Sequence, residues 1–438
     1  MDDLQFHIEW LEPNGISGPE LSATWCRLQV VLNGNNLFHL YDETSKSVRN
    51  GIYFPAYVLA EWIVDRFYFF MLEYPGSGIR EPEFPYRHNL LYNREGYLFP
   101  ELNIYPKDQS TIAIDVAPAR YEFEKKAFLE KKHYFCSRSS FEAGVRHFMN
   151  SVTARLEDCE VPDSYVAQRW SELTPCLPDE RIFIESTAAL GKHYADLTEV
   201  EEAAFLEASE GVPEDLILEF SRHLTFPEYL QQFRSLAALA LEMRDHASMT
   251  QRLPEIRREL LGNAQRSRIP WDYGYTLART LRTLLKANEM SFDSVMEIDR
   301  FIGIIPSLAQ REHPSLDPQS SLHAVLIVPE ENRWSLALKE TARASSQMFT
   351  YCRALGEYFA MGEKKVGVVS SIDSWGQQLN RAFAAEFLLP VHLLRERIPG
   401  SIVHSERIED LATEFHVSAI LIRHQLENQT SIRVIEEE

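Results

Sequence analysis

Five side chains in the N-terminal part of the sequence could carry out acid–base chemistry or bind phosphate. Glu61, Asp65 and Arg66 lie on one helical segment, and Arg87 and His88 follow in a loop. Proton transfer and phosphate recognition use carboxylates placed near a histidine and arginines. Alternatively, these charges lie at the rim of an aromatic helix and fix the adjacent loop. We favour the alternative, because nothing in the sequence sets the distances between the five groups.

A second candidate site lies towards the C-terminus, in two short segments. Residues 349–359 and 377–390 both place apolar side chains at helical spacing, and a proline ends the second segment. The apolar positions are Phe349, Cys352, Leu355, Phe359, Leu379, Phe383, Phe387 and Leu388. The pattern predicts two amphipathic helices that pack against each other.

The two segments together resemble the ImmA/IrrE family of metallo-endopeptidases. In that family the first helix reads roughly R-F-T-x-A-H-E-L-G-H, and the second ends in F-A-A-x-L-L-M-P. This chain keeps Phe349–Thr350 and Leu355–Gly356 of the first motif and almost all of the second in Phe383–Pro390. The resemblance covers residues 269–438 and implies a zincin-like domain there.

The resemblance also implies that the catalytic residues are replaced. An H-E-x-x-H helix holds zinc with two histidines four residues apart, and its glutamate is the general base. The matching positions here are Arg353, Ala354 and Glu357, and the third ligand position falls at Gln377 or Gln378. Arginine offers no lone pair to a metal, and alanine cannot accept a proton. We therefore expect no catalytic residues, no zinc and no other cofactor.

Arg353 and Glu357 are four residues apart on the first helix, which is close enough for them to pair. One hypothesis is that the guanidinium fills the volume of the metal and is held by Glu357. The other is that both are solvated surface charges. The sequence does not choose between these two interpretations.

The composition is that of a soluble globular protein with a strong negative charge. The 438 residues include 44 basic and 65 acidic side chains, which give a net charge of −21. This balance argues against a general nucleic-acid surface and favours a basic protein partner. Five cysteines without a C-x-x-C pair fit buried thiols in a reducing compartment. They are Cys26, Cys136, Cys159, Cys176 and Cys352.

Neither a membrane span nor a secretion signal is expected. The aromatic segment 55–74 is long, but three charges lie in its middle, each costing roughly 2.5–3.5 kcal/mol in a bilayer. A core helix is the better interpretation. The N-terminus has no basic region followed by an apolar segment. We expect a cytoplasmic protein.

The expected fold class is α+β and mainly helical. Residues 1–160 mix strand and helix patterns and predict a mixed α/β domain. Residues 165–265 predict a helical connector or interaction region, and residues 269–438 the peptidase-like domain.

Residues 406–428 have the layout of a helix-turn-helix, with Ser418 placed to cap the second helix. Four side chains of the second helix could read DNA bases: Arg423, His424, Gln425 and Asn428. The first helix carries four acidic residues that repel phosphate: Glu406, Glu409, Asp410 and Glu414. We therefore interpret the segment as a packing element and expect no DNA binding.

Two hypotheses about function remain. The first is a non-catalytic regulatory or interaction protein built on a degenerate zinc-peptidase domain, with a protein partner or a homo-oligomer. The resemblance places such a protein in stress response, mobile-element control or phage defence. The second is a hydrolase, either with metal ligands that the sequence does not assign or with an active site in the N-terminal domain.

Overall fold

The fold is described by a computed structural model. It covers residues 4–13, 15–76, 83–173, 178–250, 252–303 and 314–435, and Cys176 lies outside these ranges. The chain divides into two compact units, residues 1–202 and 203–438. The boundary falls inside the predicted helical region 165–265, so that both units receive helices from it. The described residues form a mixed, mainly helical structure, which confirms the predicted α+β class.

The first unit combines small antiparallel sheets with a long buried helix. Its strands are β1 (Leu4–Trp10), β2 (Trp25–Leu32), β3 (Asn35–Asn36), β4 (Leu40–Asp42), β5 (Ser47–Arg49), β6 (Ile52–Pro55), β7 (Glu101–Pro106), β8 (Thr111–Ala117), β9 (Ala119–Tyr121), β10 (Lys126–Phe128) and β11 (Lys132–Ser137). Its helices are α1 (Pro19–Ala23), α2 (Ala56–Leu72), α3 (Phe84–His88), α4 (Arg138–Asp158), α5 (Tyr165–Leu173) and α6 (Pro178–Ala189), with short 3-10 helices at Leu90–Asn93 and Tyr194–Asp196. The strand orders are β1-β2-β3 with β6 on β2, β5-β4-β10-β9 and β11-β8-β7.

The aromatic helix α2 forms the centre of the first unit's core. Its side chains Trp62, Phe67 and Phe70 are buried, together with most of the other residues of the helix. The segment predicted as a core helix is therefore one. None of the helices in the described part of the chain is both long and apolar enough to cross a membrane.

The second unit is mostly helical. After α7 (Glu199–Ser209), which crosses the boundary between the units, its helices are α8 (Glu214–Ser221), α9 (Phe226–Asp245), α10 (Arg252–Asn263), α11 (Pro270–Leu284), α12 (Val295–Ile302), α13 (Ala344–Ala360), α14 (Trp375–Leu388), α15 (Val391–Arg397), α16 (Ser405–Glu414) and α17 (Ala419–Gln429). Its strands are β12 (Ser248–Met249), β13 (Ser315–Leu316), β14 (Ala324–Glu330), β15 (Arg333–Lys339), β16 (Val366–Val369), β17 (Ile402–His404) and β18 (Arg433–Ile435). The main sheet has the order β12-β15-β14-β16, with β13 also on β15, and β17 pairs with β18.

The two predicted motif helices are α13 and α14, and glycines allow their close packing. A Cβ atom at Gly356 of α13 would lie 3.1 Å from the Asn380 side chain and 3.1 Å from the Phe383 ring. At Gly274 of α11, a Cβ atom would lie 2.4 Å from the Leu379 carbonyl oxygen of α14. Because glycine has no Cβ, helix α14 can approach both neighbours at these points.

Local signals in the sequence set the ends of these helices. Ser374 caps α14 by accepting a hydrogen bond from the backbone N–H of Gln377, and Pro390 follows its last turn. Ser418 caps α17 in the predicted way, through the N–H of Leu421. Helices α16 and α17 form the predicted helix-turn-helix layout.

Phe383→Ala is expected to destabilise the second unit strongly. The ring is fully buried between Phe359 and Phe387, with centroids 5.9 and 5.7 Å away. Truncation should lower the free energy of unfolding by roughly 3–5 kcal/mol, measured by urea denaturation with hydrogen exchange on α13 and α14. Phe123→Ala is the matched control, because that ring is 99% exposed. Unchanged exchange in α13 and α14 of Phe383→Ala would contradict the packing.

Candidate functional site

Helices α13 and α14 bring four polar side chains into the core of the second unit. Arg353 and Glu357 extend from α13, and Gln377 and Asn380 extend from α14. All four are buried; Arg353 is only 6% exposed and Asn380 is fully buried. The interpretation of Arg353 and Glu357 as solvated surface charges is therefore wrong.

Neutral oxygen atoms hold the Arg353 guanidinium. Its Nη2 donates to the carbonyl oxygen of Ser370 (2.6 Å) and to Oε1 of Gln377 (2.8 Å). Burial, together with the Arg381 charge, lowers the pKa of Arg353 to about 9, and the Glu357 charge opposes this shift. At neutral pH the guanidinium is still a cation. A buried positive charge therefore occupies the first of the predicted motif positions.

Glu357 has a different partner from the one predicted. Its Oε2 accepts a hydrogen bond from Nδ2 of Asn380 (2.6 Å), and neither hydrogen bond of Arg353 goes to Glu357. The Glu357 side chain also depends on Gly367 in β16, where a Cβ atom would lie 2.8 Å from Cγ of the glutamate. Of the two hypotheses, the buried guanidinium is the one that the structure supports, but Arg353 makes no hydrogen bond to the Glu357 that was supposed to hold it.

Gln377 joins the guanidinium to the edge of the sheet. Its Nε2 donates to the carbonyl oxygen of Val368 (2.6 Å), and its Oε1 accepts from the backbone N–H of Ser370 (3.1 Å). A side-chain amide that donates to the carbonyl of one residue and accepts from the N–H of the residue two positions later reproduces the hydrogen bonds of a neighbouring strand. Gln377 therefore caps β16 and positions Arg353 at the same time.

These residues do not fit a zinc ion. Zinc sites in proteins use histidine, cysteine and carboxylate ligands, whereas Arg353 and Ala354 offer no lone pair to a metal. The amide oxygen of Gln377 already accepts two hydrogen bonds. Glu357 is left as the single carboxylate among the four predicted positions, and Asn380 occupies one of its oxygens.

A second polar cluster, around Glu219, adjoins the first through Ser370. The Glu219 carboxylate of α8 contacts Arg222 (2.9 Å), Lys364 (3.3 Å) and Nε2 of His223 (3.6 Å). Nδ1 of His223 lies 2.9 Å from Oγ of Ser370. Sequence reasoning missed these residues. The i, i+3 and i+4 spacing of Glu219, Arg222 and His223 was a usable signal, but nothing in the sequence places Ser370 beside them.

Ser370, His223 and Glu219 have the residue types of a hydrolase triad, but the serine is inaccessible. Ser370 is 1% exposed, and its Oγ also accepts from the backbone N–H of Ile372 (3.3 Å). A serine nucleophile must reach the substrate carbonyl and release its proton to a base. In this arrangement the hydroxyl connects His223, which follows α8, to the end of β16.

The structure places the candidate residues of the first unit in two separate groups. Asp65 accepts a hydrogen bond from the hydroxyl of Tyr165 (2.8 Å), and Arg66 donates to the Asp65 carbonyl (3.4 Å). Burial and the nearby carboxylates of Glu95, Asp65 and Glu20 raise the pKa of Glu61. These groups lie on the middle turns of α2.

Arg87 and His88 belong to the other group, on the buried carboxylate of Glu73. Nε of Arg87 and Nε2 of His88 lie 2.8 and 2.9 Å from its Oε2. Glu73 follows Asp65 by eight residues, which is about 12 Å along a helix. The arrangement ties the α3 segment to the end of α2, as the alternative interpretation of these charges supposes. The sequence analysis missed Glu73.

The side chains proposed for DNA reading are partly used inside the second unit. Gln425 is buried and donates to Glu386 of α14 (3.0 Å) and to the Leu389 carbonyl (2.8 Å). Arg423 donates to Oγ of Ser405 (3.0 Å). These contacts agree with a packing role for α17, and the absence of DNA binding stays a prediction.

Arg353→Ala is expected to lower the melting temperature of the second unit. The truncation leaves the buried Ser370 carbonyl oxygen without this donor, and an unsatisfied buried group costs roughly 1–3 kcal/mol. The melting temperature of Arg353→Met should fall less, because methionine keeps most of the volume of the arginine side chain. Arg258→Ala, which removes an exposed arginine of the same unit, is the control. Equal melting curves for Arg353→Ala and Arg258→Ala would contradict a stabilising role of the buried Arg353 guanidinium.

The Glu219 cluster should make the second unit sensitive to acid. Burial raises the pKa of Glu219, but Lys364, His223 and Arg222 outweigh this and hold the pKa well below its ordinary value of 4.5. The carboxylate therefore adds stability above pH 4.5 that is lost as the pH falls further. Urea unfolding between neutral pH and about pH 3 should show a smaller loss for Glu219→Gln than for the unmodified chain. The exposed Glu427→Gln is the control and should follow the unmodified chain; a Glu219→Gln curve that falls as steeply would contradict the assignment.

Comparisons with protein-family models, with curated proteins and with solved structures found no match to this chain. The resemblance to the ImmA/IrrE family therefore stays a prediction that rests on the motif residues alone.

Proposed function

We propose that this chain is a non-catalytic regulatory or interaction protein built on a degenerate zinc-peptidase domain. One observation carries the proposal: the buried Arg353 guanidinium is bonded to Gln377 and to the Ser370 carbonyl. In the resembled motif, the positions of Arg353 and Gln377 carry metal ligands. Here the two side chains are hydrogen-bonded to each other.

The surrounding contacts support a structural role for the motif region. Peptide hydrolysis requires an activated water or a nucleophile with access to the substrate. Ala354 replaces the general base, and Glu357 is buried against Asn380. The space between α13 and α14 is filled by hydrogen-bonded side chains, so that no reactive group is presented to a substrate.

The partner of such a protein has to bind outside the motif region. Addition of an extended peptide to the strand pair 322–328 and 334–339 is one way to bind a partner, but neighbouring elements occupy part of the edges of this sheet. Strand β14 lies between β15 and β16, while β12 and β13 pair with the outer side of β15. At the far edge, Gln377 occupies β16, and α8 packs against that strand.

The charge of the chain supports a basic protein as the partner. A net charge of −21 accelerates encounter with a positively charged surface, and this attraction weakens as salt rises. Capture of one basic protein from the source cell, at low salt and not at high salt, is the expected result. Retardation of duplex DNA at physiological salt would reverse this choice of partner.

A hydrolase is the second candidate, and the Ser370–His223 contact of 2.9 Å is the observation that favours it. It requires Ser370 to become exposed, because the hydroxyl is buried in this structure. Labelling by a fluorophosphonate probe that is lost in Ser370→Ala would establish this candidate. Equal labelling of both proteins would remove it.

The proposed loss of metal chemistry predicts a purified protein without stoichiometric zinc and without peptidase activity on unfolded casein. The matched comparison is a variant with Arg353→His, Ala354→Glu, Glu357→His and Gln377→Glu, which restores the motif ligands. Mass spectrometry of the metal content should find zinc in this variant if the backbone frame is that of a peptidase. Stoichiometric zinc in the unmodified chain, lost on Glu357→Gln, would overturn the proposal.

A further inference from the structure

The outer edge of β1, in the first unit, is paired with no other strand among the described residues. Strand β1 pairs with β2 on its other side. The N–H of Leu11 donates to the Trp25 carbonyl on β2 (2.9 Å). Because backbone groups of an antiparallel strand alternate in direction, the N–H and C=O groups of Phe6, Ile8 and Trp10 face away from β2.

Within the described ranges, no hydrogen bond joins the outward backbone groups of these three residues to another part of the chain. Helix α4 packs against the start of the strand, where a Cβ atom on Gly144 would lie 2.4 Å from the Leu4 carbonyl oxygen. From Phe6 to Trp10 the strand has no proline, lysine or bulge of the kind that blocks strand addition elsewhere.

The side chains of β1 form two rows. His7 and Glu9 are exposed on the solvent face, and Glu9 contacts Arg27 of β2 there (3.2 Å). Phe6 and Trp10, on the other face, are partly exposed beside α4. The Phe6 ring lies 4.7 Å from the Phe148 ring, and Arg155 lies over the Trp10 ring. The edge thus combines unpaired backbone groups with an apolar row and a polar row.

The sequence of this edge is complementary to itself in the antiparallel direction. A two-fold axis at Ile8 places Ile8 opposite the partner's Ile8 and Phe6 opposite the partner's Trp10. The same axis places His7 opposite the partner's Glu9, at the non-hydrogen-bonded positions where side chains are closest. The next register, centred on His7, places two histidines opposite each other and loses this histidine–carboxylate pairing. A histidine opposite a carboxylate and paired aromatic side chains both favour the register centred on Ile8.

We propose that the outer edge of β1 binds a second copy of this chain, so that the two β1 strands pair antiparallel about Ile8 and the sheet continues across the dimer. Each of the three opposed pairs formed by Phe6, Ile8 and Trp10 exchanges two backbone hydrogen bonds. The proposal concerns the first unit and does not depend on the function proposed for the motif helices.

The test is the oligomeric state of the full chain by sedimentation equilibrium. The unmodified chain should sediment as a dimer of 50.7 kDa subunits. Ile8→Pro should sediment as a monomer, because it removes an outward N–H and leaves the β1–β2 hydrogen bonds in place. Circular dichroism checks that this variant is folded.

Charge variants at position 7 test the register. His7→Glu puts two like charges opposite each other at both symmetric positions and should weaken the dimer about tenfold at low salt. His7→Lys is the matched variant, and its dimer should persist because the lysine still faces the partner's Glu9. The proposal is overturned if the unmodified chain is monomeric at every concentration, if folded Ile8→Pro remains dimeric, or if both position 7 variants bind equally.

Discussion

A buried positive charge without an anionic hydrogen-bond partner links the elements around the motif helices of the second unit. Arg353 is buried in the centre of the unit, and its hydrogen bonds go to a carbonyl and an amide. A buried cation is stable only when polar groups replace its hydration. The end of β16 and the first turn of α14 supply these groups, and their positions are therefore linked to the guanidinium.

The close packing of three helices makes this arrangement possible. Gly274 and Gly356 allow α14 to approach α11 and α13 at distances that a Cβ atom would prevent. The polar side chains on α13 and α14 then meet in a buried, hydrogen-bonded cluster. The same residues that resemble a peptidase motif therefore form a filled core.

Helical periodicity and capping residues predicted the elements of this region well. The two motif helices, the Ser418 cap and the burial of Phe383 follow from local spacing, and all are present. The partner of Arg353 could not be predicted in this way. Glu357 is the nearest carboxylate in the sequence, but the guanidinium extends to the end of β16, whose position depends on tertiary packing.

The same limit explains why the Glu219 cluster and the Glu73 group were missed. Glu219 lies more than a hundred positions before Ser370 in the sequence, and only the packing of α8 on β16 connects them. Glu73 follows the aromatic helix α2, and nothing in the sequence indicates that its carboxylate binds Arg87 and His88. Sequence reasoning finds candidate groups, but their distances come from the fold.

Cys352 immediately precedes Arg353, and its burial has a practical consequence. The thiol is completely buried, burial raises its pKa, and it is the single cysteine in residues 203–438. Thiolates, not thiols, react with alkylating reagents. In the native state the Cys352 sulfur should not react with alkylating reagents. Its rate of alkylation therefore measures how often the core of the second unit opens.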